Sequence, residues 1–210
     1  MSIIDQMVGI DYGSKLAGTT VLAYFNKDKI LFQASKKKQD ADQMIIQWVA
    51  SNQPNYVFLD APMSLPGVYT QPKKYQDYFY READKNMRAM SPMFLGGLTA
   101  RAMRLRNELE NEQVQFVEIY PSKLADILGL KDHNYKKKKE DIPGIRTMLI
   151  TYLKEIGQTK NDQADFSQFK IGPTPDWHHI DALLALISGI RYLNDLHVQF
   201  GNSEEGFVIV

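Results

Sequence analysis

Four acidic residues sit in stretches that otherwise read as apolar: Asp11 in MVGIDYG, Asp60 in FLDAP, Glu118 in FVEIYP and Asp181 in HHIDALLAL. Carboxylates are hard oxygen donors, and several drawn into one small volume need a cation to offset their mutual repulsion. Taken singly, each has an ordinary structural use. Asp11 could accept backbone hydrogen bonds at a strand-to-turn junction before Gly13, and Asp60 could open a turn before Pro62. Glu118 could pair with Arg101, Arg104 or Arg106, and Asp181 could be held by its helix N-terminus or by the adjacent histidines. Their joint placement points to a metal site. Pro62 and Pro121 follow Asp60 and Glu118 closely. Proline cannot continue a central strand, so both acids fall near the carboxyl ends of their strands, where open α/β sheets bind ligands.

Stepping along the chain, Met7–Tyr12, Thr19–Phe25 and Lys29–Ala34 read as an antiparallel meander with a turn at Asn26–Asp28. Asp40–Ser51 has helical spacing through Met44, Ile45, Trp48 and Val49 and leads into Tyr56–Leu59, a continuous apolar run suited to a strand covered on both faces. An excursion rich in Pro, Gly and Tyr covers Ala61–Gln76, with helices expected at about Asp77–Met90 and Pro92–Glu112. Val114–Tyr120 is the next strand, followed by a short helix from Ser122, a lysine-rich connection and a helix near Gly144–Ile156. A loose segment then runs to Pro175, a helix from Trp177 to about Leu196, and GFVIV as one more strand. On the last helix His178, Asp181, Ala182, Ala185 and Gly189 share one side, small enough to approach a sheet closely, with Asp181 turned toward it and His178 one turn before.

Bulk properties narrow the field. With 210 residues, 44% of them hydrophobic, the chain suits a single domain, 1–210, carrying one insertion at about 61–112. The 25 Lys and Arg balance 25 Asp and Glu, so no overall cationic field selects a polyanion, and any such contact is local. Without cysteine there are no disulfides or thiolate sites. The N-terminal MSIIDQMVG has neither the basic nor the apolar part of a signal peptide, and the longest apolar run, Ala182–Ile190, falls well short of the ~20 residues of a membrane span. A cytoplasmic protein without membrane contact is expected.

These motifs together resemble the ribonuclease H-like superfamily, and within it an uncharacterised family of predicted nucleases akin to RuvC-type resolvases and YqgF-type nucleases. The resemblance spans nearly the whole chain and is carried by GIDYG, DAPMSLP, the Arg81, Asp84, Arg88 pattern, VEIYPS, HHIDALLAL and EEGFVIV. It implies an α/β fold with a mixed five-stranded sheet in the order 3-2-1-4-5, flanked by helices, with the helical and loop insertion after strand 4. It also implies carboxylates that bind Mg²⁺ or Mn²⁺ for phosphodiester hydrolysis. Asp11, Asp60 and Asp181 match the family positions; Glu118 matches the narrower family only.

Two hard cations ~3.5–4 Å apart can acidify the attacking water and stabilise the leaving oxygen, with Asp11 as the natural bridging ligand. His178 would assist proton transfer or orient an acid, or else satisfy the helix start. Phosphate contacts from a nucleic-acid substrate are expected at Lys15, Arg81, Arg88, Arg101 and Arg104, and at the run Lys136–Lys139, although Arg81, Asp84 and Arg88 also fit an intrahelical ladder and lysine runs are usually solvated. Tyr69, Tyr75, Tyr78, Phe79 and Tyr80 would stack on bases, form a half-buried lid or make a homodimer surface. The rival functions are nucleotide binding of the actin-like ATPase type, from the same Asp-x-Gly hairpin, and a non-catalytic binding module on the same fold. The first lacks a second such hairpin.

Overall fold

The computed structural model describes residues 6–159 and 170–210. The first five residues, and 160–169 of the expected loose segment, lie outside the described residues. Eight strands form one mixed sheet: β1 (Met7–Asp11), β2 (Val21–Asn26), β3 (Lys29–Ala34), β4 (Tyr56–Asp60), β5 (Gln115–Ile119), β6 (Lys170–Ile171), β7 (Gln199–Asn202) and β8 (Gly206–Ile209). Their order is β6-β3-β2-β1-β4-β5-β8-β7, so the sheet is larger than the five strands expected. Strands β1, β2 and β3 pair antiparallel as a meander, and β4 joins β1 in parallel after a helical crossover.

Seven α-helices accompany the sheet among the described residues: α1 (Ala41–Asn52), α2 (Glu82–Met87), α3 (Pro92–Leu95), α4 (Gly97–Leu109), α5 (Pro121–Ile127), α6 (Ile142–Thr159) and α7 (Trp177–Leu193). Local chemistry sets the boundaries that differ from expectation. Asp77 accepts the N–H groups of Phe79 and Tyr80 at 2.8 and 2.9 Å, a turn that delays α2 to Glu82, and Arg88 ends it in the left-handed region at φ 55°. The single helix expected over Pro92–Glu112 is split at Gly96, whose φ of 43° suits glycine.

Alternation along the strands builds two apolar layers. On one face Met7, Phe58 and Ile119 pack under α5, α6 and α7; on the other Val8, Ile10, Leu59 and Phe116 pack with Ile45 and Trp48 of α1 and Leu105 of α4. Helix α7 lies very close to β1. A Cβ added at Gly9 would stand 2.1 Å from the backbone N of Leu186, and one at Gly189 would stand 2.4 Å from the Phe58 ring. No helix among the described residues is long and apolar enough to cross a membrane.

Candidate functional site

The parallel register of β1 and β4 puts Asp11 opposite Asp60, each the last residue of its strand. Adjacent strands are about 4.8 Å apart, and paired residues project to the same face, so the two carboxylates leave the sheet side by side toward α7. The helix runs back over the sheet from its contact with Gly9, and this brings Asp181, buried at 2% exposure, and His178 over the same strand ends. His178 Nδ1 donates to Asp11 Oδ2 at 2.7 Å. Asp181 accepts the Tyr135 hydroxyl on one oxygen, and on the other it meets the Lys136 ammonium at 2.5 Å. Tyr135 is itself braced edge-on against Trp177, with ring centroids 5.5 Å apart.

The electrostatics follow from crowding three acids in a poorly solvated place. Burial, then the charges of Asp11 and Asp181, push the Asp60 carboxyl well above the ordinary range. Burial also raises Asp11, against the lowering effect of His178, and lifts Asp181 to about 6 despite Lys136. The hydrogen bond to Asp11 raises His178. Among the described residues no side chain hydrogen-bonds or ion-pairs with Asp60, and no group of three or more His, Cys, Asp or Glu side chains is arranged to hold a metal ion. A cavity of about 220 Å³ opens beside Asp60, lined by Tyr12, Met87, Met90, Leu98 and Tyr120.

Glu118 lines the same cavity as Asp60, and its charge adds to the raising of Asp60, but it leaves the other face of the sheet. Its register partner on β4 is Leu59, one residue before Asp60, so its side chain leaves the opposite face with Phe116. There it takes both terminal nitrogens of Arg81, at 2.6 and 2.9 Å, and the backbone N–H of Met63 at 2.8 Å. Arg81 also reaches Asp84 at 2.7 and 3.1 Å and Ser64 at 2.7 Å. All five guanidinium donors are thereby used in a side chain only 1% exposed, which leaves none for a phosphate.

Of the other expected phosphate contacts, Lys15, Arg101 and Arg104 gather at the start of α1, and Arg88 stands apart. Arg101 forks onto Asp42 at 2.5 and 3.0 Å, bonds the Gly13 carbonyl at 3.1 Å and lies over the Tyr12 ring, fastening α4 to α1 and to the turn after β1. Half-exposed Arg104 meets Asp42 and Glu108 at 3.6 and 3.4 Å. Lys15 pairs with Asp40, the N-cap of α1, at 3.0 Å. Arg88 is exposed and forms no ladder with Asp84; only its backbone N–H bonds the Asp84 carbonyl. His179 turns to Asp176 and Phe32. Within the lysine run Lys136 alone enters the acid cluster, with Tyr135 beside it, and no periodicity in NYKKKK marks either for that place. Compared with protein-family models, curated proteins and solved structures, the chain gives no match.

Proposed function

We propose that this protein is a divalent-metal-dependent nuclease of ribonuclease H-like type that hydrolyses phosphodiester bonds. The observation that carries the reading is the in-register pair Asp11 and Asp60 at the carboxyl ends of adjacent parallel strands, faced by Asp181 from α7. The run β3-β2-β1-β4-β5 within the larger sheet supports the fold part of the reading. The donor set is all carboxylate oxygen, which suits Mg²⁺ or Mn²⁺, and an ammonium already takes a cation's place beside Asp181. A bound divalent cation would acidify water and stabilise the leaving oxygen. Asp11, Asp60 and Asp181 would hold it once drawn closer together than they stand in this arrangement, and His178 fixes the rotamer of Asp11 through Nδ1. Glu118 is taken up by Arg81 and borders the Asp60 cavity from the other face of the sheet. Arg81 and Arg101 are committed elsewhere, and the balanced charge of the chain favours a small or transiently held nucleic acid.

The test is a panel of branched, single-stranded, duplex and hybrid substrates with Mg²⁺ or Mn²⁺. Cleavage is expected only with the cation, and its loss is expected in Asp11→Asn and Asp181→Asn while both stay folded by circular dichroism. Activity that persists in EDTA, or in the folded variants, overturns the reading.

A further inference from the structure

We propose that Lys136 is the resident, exchangeable counter-cation of the carboxylate cluster, and that a divalent cation binds by displacing its ammonium; this rests on the metal-site reading above. Two buried arginine or lysine contacts in this molecule look alike on paper and differ physically. Arg81 is enclosed at 1% exposure with every donor bonded, so it cannot leave without unfolding its surroundings. Lys136 ends on a carboxylate only 3% exposed, yet 46% of its own side chain is open to solvent. Its stem lies on the surface and only its head is inserted, so the ammonium can swing into water by side-chain rotation alone.

The backbone beneath it is unusual too. Lys136 has φ 60° and Asn134 has φ 66°, both in the left-handed region that non-glycine residues avoid. Such conformations persist where the surroundings over-determine them. Here the restraint is Tyr135, whose hydroxyl donates to Asp181 and whose ring abuts Trp177. The loop is pinned by Tyr135 and delivers Lys136 to the same carboxylate. The ammonium thus stands in a cation's place on the Asp181 carboxylate.

Displacing an ammonium that is itself half-exposed opposes metal binding by a modest amount, and removing it should tighten binding roughly two- to fivefold. The experiment titrates Mn²⁺ by calorimetry, at one pH and ionic strength, into the parent, Lys136→Met and Lys137→Met. Lys137 is the exposed neighbour and controls for general charge. Tighter binding in Lys136→Met, with Lys137→Met close to the parent, is the expected result. Equal or weaker binding in Lys136→Met overturns the proposal and leaves the metal site standing. No binding to any of the three overturns both. Should the Met variant fold poorly, Lys136→Gln, which keeps a polar stem without the charge, carries the same comparison.

Discussion

Asp181 is the residue on which the site's electrostatics turn, because its buried carboxyl meets a hydroxyl and an ammonium from one loop while two further acids stand at the strand ends below. Its folded-state pKa of about 6 lies above the roughly 3.9 of an unfolded aspartate, so the native state binds more protons in between. This group should therefore lower the stability of the metal-free protein as pH rises from about 4 to 6, by on the order of 2 kcal/mol, and Asp11 and Asp60 act in the same sense, against the opposite contribution of acids such as Asp42 and Asp77 that are held low. His178, raised by Asp11, adds stability below about 6.5 that is lost as pH rises through its folded pKa. Urea denaturation in EDTA at about pH 4.5, 5.5 and 6.5 reads the slope, which Asp181→Asn should make shallower. A slope that Asp181→Asn leaves unchanged would contradict it. Asp11 and Asp60 could be placed from sequence because a short strand before a turn or proline fixes where its acid ends. Glu118 could not, since its face depends on a one-residue register, Leu59 against Glu118, that composition does not encode. Lys136 was legible only as part of a charge run, because loop geometry and not periodicity brings it in.

Helix α7 positions half the site, and it does so through absent side chains. Gly9 on β1 lets the backbone of Leu186 approach directly, and Gly189 accepts the Phe58 ring. Gly9→Ala would set a methyl against backbone on a helix that cannot yield locally, so we expect a loss at or beyond the upper end of the ~1–3 kcal/mol typical of overpacking. The same lift should move Asp181 away from Asp11 and Asp60. Chemical denaturation together with Mn²⁺ titration checks both, and a variant as stable as the parent would show that the helix slides freely. The small face of this helix and the opening meander were readable because they follow the periods of helix and strand. Strand β6 has only two residues, and β7 is four residues, QFGN, with a glycine at φ 93°. Neither is long enough to show alternation, and their strand character comes from pairing with β3 and β8.

Across the whole molecule, the long connection between β4 and β5 is held by residues distant in sequence. The C-terminal hairpin brings in Glu205, 3% exposed, whose carboxylate accepts the N–H groups of Gly67 at 2.7 Å and Glu82 at 2.9 Å, while its carbonyl accepts Ser64 at 2.5 Å. Ser64 in turn accepts from Arg81, which is bound to Glu118 on β5, so hairpin, connection and sheet share one polar network. The connection leaves directly from Asp60, which makes this network the rear support of the site. Glu205→Ala leaves the buried N–H of Gly67 without its acceptor, at about 1–3 kcal/mol, and the part-buried N–H of Glu82 at less. The loss should be local: amides over 64–82 should exchange faster, while those of β1 and α7 keep their protection, because their apolar layer does not include Glu205. Hydrogen exchange resolved by segment distinguishes the cases. Uniform loss of protection would mean that the connection and the sheet open as one cooperative unit, and unchanged exchange over 64–82 would mean that Lys74, Tyr75 and their contacts with Glu204 hold the segment without Glu205.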